Sequence, residues 1–367
     1  MTVCATEEAM ASGERGDAAS GRYAVSACGS HAARLNRAEG AAGAEGAGGT
    51  WSVERWALHA PVPYAVSLPV PGATAAGDEV LPLPDGRVVL RRGARGRQRV
   101  SLLCPSASGT VERPLAEVYA PGLRLLPAAP DGACLHGLET GDEASAVWVL
   151  AGERGGPRRV AELPGRCSGG IWLDRAGRLL AVDVETAGAV RTVLVDLARG
   201  GAVAPLLEIA EHSTDRLLGA EQGSGLLLIG SDAASPGRER LAWGVLGSGE
   251  PVRFPACVAL PGQTATVLSV RGAGTAAECA VALRVTGADG TCVGLWRPGA
   301  GTLHQQPVPP GWLDGVVVWG RDGALGLPCA GGAGVVWLPE APARAPRPIP
   351  LREAPLAAPG PAQAVAS

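Results

Sequence analysis

The feature that most constrains this chain is a repeat. From residue 79 to residue 353, short β-type runs come in pairs, and each pair is followed by a second pair. The leading hairpins read EVLPL-PDG-RVVLRR, LRLLPAAPDGACLHGLE, GGIWLDRAGRLLAVDVE, RLLGAEQGSGLLLIGSD, TVLSVRGAGTAAECAVALRV and GVVVWGRDGALGLPCA. The trailing ones begin with VSLLCP, AVWVL, TVLVDL, LAWGVL, CVGLWR and GVVWLP. Aligning them puts Leu103, Trp148, Val195, Trp243, Trp296 and Trp337 at one repeated position, with spacings of 45, 47, 48, 53 and 41 residues. Asp-Gly and Gly-x-Gly at the turns supply the positive φ that tight hairpins need.

Units of roughly 40–50 residues with four strands each are the signature of propeller blades. A lone four-stranded sheet leaves both faces uncovered, and neighbours in a ring cover them. The fold class read from the sequence is therefore all-β: a β-propeller of four-stranded antiparallel blades. Six blades are counted, or seven if residues 51–70 contribute one. A pair of β-sandwiches fits less well, because it does not require this four-strand beat. Residues 1–49, rich in Ala, Gly and Glu, lack an apolar period and are expected to be a disordered tail. The propeller is expected over 50–354, and a Pro/Ala-rich tail over 355–367.

Composition excludes several chemistries. The chain has no lysine, so all 32 basic residues are Arg. That rules out a Schiff base, a P-loop lysine and a kinase-type lysine. Its bias toward Ala, Gly, Arg and Pro over Lys, Asn, Ile, Phe and Tyr reads as an actinobacterium-like, GC-rich genome. A formal net charge of -3 gives no nucleic-acid signature. The first 21 residues have no apolar h-region, and no apolar run approaches the roughly 18 residues of a membrane span. The expectation is a cytoplasmic protein without membrane or nucleic-acid partners. The nine cysteines are dispersed and read as reduced thiols, mostly buried. A hairpin centred on Ala288-Asp289 would pair Cys292 with Val285, not with Cys279.

Three turns carry a family resemblance: Pro84-Asp85-Gly86-Arg87, Pro130-Asp131-Gly132, and Trp172-Leu173-Asp174-Arg175-Ala176-Gly177-Arg178-Leu179-Leu180-Ala181. They resemble the W-S-P-D-G-x-x-L-A blade repeat of TolB-like proteins and of the amino-terminal propeller of prolyl oligopeptidase-family serine peptidases. The resemblance covers residues 80–350. It implies a propeller, and in that family the propeller precedes an α/β-hydrolase domain with the catalytic serine. Here the sequence reads as that propeller without its enzyme.

No catalytic constellation stands out. No serine has Gly at both −2 and +2, so the G-x-S-x-G elbow is missing. His212, Ser213 and Asp215 lie together in EHSTD, but neighbours on an extended chain point to opposite sides, which favours a capped loop. The five histidines, His31, His59, His136, His212 and His304, show no metal-ligand spacing. One Asn excludes the ligand set of calcium lactonase propellers, and no Asp box repeats as in sialidases. Catalytic, cofactor and metal residues are thus expected to be none. The recurring Trp residues fit blade-to-blade packing, with an aromatic ring around a channel as the other reading. One charge run remains, with Arg91, Arg92, Arg95, Arg97 and Arg99 on the hairpin of the first repeat. It either grips an acidic partner or is a solvated turn. The function expected is a non-catalytic binding or scaffold module for a protein or peptide. The alternative is a substrate-gating propeller of a prolyl-oligopeptidase-like hydrolase, whose partner would be a separately encoded hydrolase.

Overall fold

The computed structural model describes residues 23–37 and 51–338, apart from 61, 73, 107–108, 153–154, 187 and 331–333. Strands dominate, and helix is confined among the described residues to three single 3-10 turns. The first sheet runs β1 (Ala24–Val25), β2 (His31–Arg37), β3 (Trp51–Ala57) and β4 (Tyr64–Leu68) in that order. The second runs β5 (Glu79–Pro82), β6 (Val88–Ala94), β7 (Arg97–Ser106) and β8 (Gly109–Tyr119). The third holds β9 (Leu123–Leu125), β10 (Leu135–Glu139), β11 (Ala144–Ala151) and β12 (Arg158–Pro164).

Two further meanders share a seven-stranded sheet. One contains β13 (Arg166–Trp172), β14 (Leu179–Thr186), β15 (Ala189–Asp196) and β16 (Ala202–Pro205). The other contains β17 (Asp215–Glu221), β18 (Leu226–Ser231) and β19 (Arg240–Val245). A single parallel pair, Arg191 with Asp215, joins them. Arg253 bridges to Trp243 where a fourth strand of the second meander would run. Then come β20 (Thr264–Arg271), β21 (Ala280–Gly287), β22 (Gly290–Trp296) and β23 (Leu303–Pro307). The last sheet has β24 (Val318–Trp319), β25 (Leu325–Cys329) and β26 (Gly334–Leu338).

These elements match the repeat read from the sequence. The six aligned positions all fall on the third strand of a meander, on β7, β11, β15, β19, β22 and β26. Val285 faces Cys292 across the β21–β22 hairpin, as expected. All eight described cysteines are free, though three are buried, four half-buried and Cys28 exposed.

The amino-terminal expectation needs correction. Residues 1–49 are expected to be disordered, yet β1 and β2 lie inside that range and pair into the first sheet. The strand HAARLNR is short, and small Ala side chains conceal its period of two. Ala33 and Leu35 pack toward Val88, Leu90 and Leu103 of the second sheet, while Ala32 packs on the opposite side. An Ala opposite a large neighbour fills an interface as well as a Leu opposite a small one. Residues 51–70 thus complete a four-stranded sheet with segments that precede them. Residues 1–22 and 38–49 of that tail, and the tail expected over 355–367, lie outside the described residues. No described helix is long and apolar enough to cross a membrane.

The core is divided among interfaces between consecutive meanders. Leu81, Val100 and Leu102 meet Leu123, Leu135 and Leu150 between the second and third. Leu138, Val147 and Leu163 meet Trp172, Leu180 and Val182 between the third and fourth. Leu173 and Ala181 then meet Leu217, Leu227 and Ile229. Leu226, Leu228 and Trp243 meet Val281, Leu283 and Trp296. Ala282, Val293 and Leu295 meet Val317, Leu325 and Leu327. Finally Leu313, Val316 and Val318 of the last sheet region pack on Ala32, Trp56 and Leu58 of the first.

Packing explains two of the recurring Trp residues. Trp296 is fully buried and Trp243 nearly so, whereas Trp337 is 51% exposed. Replacing Trp296 by Ala should therefore cost about 3–5 kcal/mol, as for other large aromatic truncations in a core. Trp337→Ala should change stability by less than about 1 kcal/mol. Urea midpoints of the two variants measure the contrast, and equal losses would refute this account of the repeated position.

Candidate functional site

The arginine run occupies β6, β7 and the turn between them, and strand alternation decides which side chains are available. Arg91 and Gln98 point to the face that packs on the third sheet, and both are buried. Arg91 donates from Nε to Glu79 at 3.0 Å, from Nη1 to Gln98 Oε1 at 2.7 Å and from Nη2 to the Gly77 carbonyl at 2.7 Å. Glu79 also accepts from the Leu125 backbone N–H at 2.8 Å, so Arg91 buttresses the joint between β5 and β9. Arg92 points the other way and binds Glu112 at 2.5 Å and the Pro71 carbonyl at 3.1 Å. Burial alone would push the Glu112 carboxyl up. Hydrogen bonds from Arg92 and Ser101 and the Arg92 charge outweigh it and hold the group below the usual carboxylate range.

Arg95, Arg97 and Arg99 are exposed. Arg97 and Arg99 share one carboxylate, Glu117, at 3.5 Å each. Register places Tyr119 opposite Arg97 and Glu117 opposite Arg99. Tyr119 is 68% exposed. A Cβ on Gly96 would lie 2.9 Å from the Tyr119 ring, so glycine lets the aromatic lie across the turn. Arg95 has φ 49°, in the left-handed region, and among the described residues no other non-glycine has a positive φ. Such a residue costs roughly 1–2 kcal/mol relative to Gly there. The run is therefore split: two arginines are structural and three form an exposed basic and aromatic patch. Tyr119 and Glu117 are the members that sequence reading missed. The signal for them was the pairing of RQRV with AEVY across the second hairpin.

Cavities lie where the first strands of the meanders approach one another. One of about 520 Å³ is walled by Ala24, Val25, Glu79, Leu81, Leu125 and Pro127. A neighbouring space of about 370 Å³ shares Glu79, Leu125 and Pro127 and adds Arg124, Gly169 and Gly170. Their walls are mainly apolar, with the Asp78 and Glu79 carboxylates and the Arg124 guanidinium as the charged members.

The EHSTD segment is a capped loop. Ser213 Oγ lies 2.8 Å from Asp215 Oδ2 and 3.0 Å from the Ala210 carbonyl. Asp215 is fully buried and also accepts from Ser231 at 2.6 Å and the Ile209 N–H at 2.9 Å. His212 is exposed and bonds to neither, so serine, histidine and aspartate do not assemble. Nearby, Asp183 accepts from Thr192 at 2.6 Å, and burial pushes its carboxyl up despite that bond. Among the described residues no three His, Cys, Asp or Glu side chains gather as metal ligands.

With this geometry in hand, comparison with known proteins identifies the fold. No protein-family model and no curated protein matches the chain. Among solved structures, a puromycin-hydrolyzing peptidase of Mycobacterium tuberculosis is similar at TM-score 0.54 and 14% identity, over 87% of this chain and 53% of the other. An acylaminoacyl peptidase in complex with Z-Gly-Gly-Phe-chloromethyl ketone gives TM-score 0.54 and 11% identity, over 88% of this chain and 51% of the other. A protein described as TolB from Agrobacterium tumefaciens gives TM-score 0.43 and 15% identity, over 62% and 79%. The chain thus spans about half the length of these two peptidases. The fold resembles the propeller of prolyl oligopeptidase-family proteins, as the blade turns imply.

His136 offers a clear pH test. It is buried, its ring lies 5.0 Å from that of Trp172 in a T-shaped contact, and its Nδ1 makes no hydrogen bond. Burial pushes the imidazole down from 6.5 to about 4, with Asp131 opposing and Arg158 reinforcing the shift. The unfolded chain then binds the extra proton first. Stability is fully present above about pH 6.5 and is lost as pH falls toward 4, by ~3 kcal/mol in all. His136→Phe keeps a ring against Trp172 and removes the titration. Its stability relative to the parent should therefore rise by ~3 kcal/mol between pH 7 and pH 4. A constant difference across that range would refute the assignment.

Proposed function

We propose that the chain is a seven-bladed propeller that recognises an acidic protein or peptide partner through the patch of Arg95, Arg97, Arg99 and Tyr119. The blade count rests on seven interfaces between meanders, the last joining Leu313 and Val316 to Trp56 and Leu58. The partner reading rests above all on Arg95. A turn tip at φ 49° is more stable with Gly or Asn, yet an arginine stands there. Strain kept at an exposed position is a reason to look for function. Arg97 and Arg99 share a single glutamate, so the patch carries excess positive charge beside a large exposed aromatic. Guanidinium groups suit bidentate carboxylate recognition, and Tyr provides contact area at low entropic cost.

The half-length match to two peptidases favours a second reading, in which the propeller gates access to a hydrolase carried on another chain or segment. That reading expects a fluorophosphonate-reactive hydrolase to purify with the protein. The cavities around Glu79 and Arg124 would then face the passage to its active site.

The first reading is tested by fluorescence anisotropy with a labelled oligo-glutamate peptide. Replacing Arg95, Arg97 and Arg99 together by Ser should weaken binding more than about tenfold, given a few charge-assisted contacts. Binding to the parent should also weaken with added salt, because exposed charges are screened within about 8 Å at physiological ionic strength. Arg95→Gly alone should raise stability by about 1 kcal/mol while weakening binding. Affinity that is unchanged in the triple variant would refute this surface.

A further inference from the structure

The β1–β2 turn holds a cluster that the sequence gives no reason to single out. Cys28 Sγ lies 2.9 Å from Ser30 Oγ, and Ser30 Oγ lies 2.8 Å from His31 Nδ1. Ser26 Oγ is a weaker second neighbour of the sulfur at 3.7 Å. The turn is fixed at both ends. Ser26 accepts from the His31 N–H at 3.1 Å, and the Ser30 hydroxyl donates to the Pro84 carbonyl of the second sheet at 3.2 Å. The far side of the imidazole packs on Gly86, where a Cβ would come within 3.0 Å of His31 Nε2. The ring is thereby held in place with Nδ1 toward Ser30.

The cysteine does not stand alone, and it borders space. A cavity of about 290 Å³ is lined by Cys28, Ser26, His59, Ser269, Val317 and Trp319. Cys28 is exposed, unlike the other seven described cysteines. Burial by itself would push its thiol up, but the hydrogen bonds from Ser30 and Ser26 win and hold it below the ordinary value. Burial pushes the thiols of Cys167, Cys257, Cys292 and Cys329 in the opposite direction. His31 is lowered by burial and by the charges of Arg55 and His59, against the pull of Asp85. A bond to the Pro84 backbone also opposes the shift, and in the tautomer with its hydrogen on Nε2 the ring presents Nδ1 to Ser30 as an acceptor.

We propose that Cys28, Ser30 and His31 form a nucleophilic thiol site that takes small, uncharged soft electrophiles from the adjoining cavity. In the reacting arrangement the Ser30 hydroxyl turns from the Pro84 carbonyl to His31 Nδ1, and the thiol proton passes to Ser30 Oγ while Ser30 passes its own proton to His31 Nδ1. The sulfur lone pair forms the new S–C bond as the leaving group departs with the electrons of the bond it breaks. With iodoacetamide the products are a thioether, iodide and an imidazolium that returns its proton to water. Ser30 thus acts as a relay and His31 as the base, the cysteine–base logic of nucleophilic catalysis with one hydroxyl interposed. His59, Arg55 and Asp85 are the charged or titratable groups around the base, and they set the pH at which it works.

The test is alkylation of the full chain by iodoacetamide from pH 6 to pH 9, read at each cysteine by peptide mass spectrometry. At pH 7 native Cys28 should react more than about fivefold faster than the same cysteine in the chain unfolded in urea, since rate follows thiolate fraction and access. Ser30→Ala should bring that ratio to about one and move the midpoint of the pH profile upward. His31→Gln should slow the reaction in the same direction. The comparison of native with unfolded parent does not depend on any variant folding. A native rate no greater than the unfolded rate would overturn the proposal, as would an unchanged rate and midpoint in Ser30→Ala.

Discussion

The structure depends on one constraint: a four-stranded sheet of this size cannot cover its own two faces. Each meander buries apolar side chains on both sides, so each needs two neighbours. Second-strand runs such as Val88-Val89-Leu90 and Leu226-Leu227-Leu228-Ile229 show this directly, because alternate residues serve opposite interfaces. Val89 faces the third sheet while Val88 and Leu90 face the first. The first and last sheets would each keep one bare face unless they met. Leu313, Val316 and Val318 against Ala32, Trp56 and Leu58 are the residues that meet that need.

Much of this was legible in the chain because the pattern is periodic. Hairpin turns carry Asp-Gly or Gly-x-Gly, and the third strands align at Trp148, Trp243, Trp296 and Trp337. What escaped was the first half of the opening sheet, β1 and β2, for a physical reason. In HAARLNR the interface positions are filled by Ala and one Leu, so the hydrophobic contrast that marks a strand is small. Burial of Ala depends on what faces it, here Leu and Trp side chains from distant segments, and that is not written locally. The Trp position shows the converse. One sequence register produced a fully buried Trp296 and a half-exposed Trp337, so burial at this position is set by what packs on it and not by the register.

The candidate surface was visible only in part. Five arginines in nine residues mark a site, but strand alternation sends Arg91 into the core and Arg92 onto Glu112. The rest stays in solvent beside Tyr119, a neighbour 22 positions away from Arg97 that only pairing brings near. Cys28 escaped for a similar reason. Its serine neighbour is close in sequence, but the fixed imidazole and the cavity depend on Gly86 and Trp319 from other sheets. The two surfaces are independent. The arginine patch lies at the β6–β7 turn and the thiol at the β1–β2 turn, so loss of one leaves the other intact.

The central claim is that the first sheet, with β1 and β2 built from what reads as a low-complexity leader, closes the assembly against the last. Hydrogen exchange read by mass spectrometry on a peptide spanning His31–Arg37 tests this most directly. The account predicts protection of those amides comparable to that of β14, which lies in the same kind of double-faced interface. Trp56→Ala or Leu313→Ala should lower protection in both the first and last sheets together. Exchange of His31–Arg37 at the rate of an unfolded chain, with β14 still protected, would contradict it.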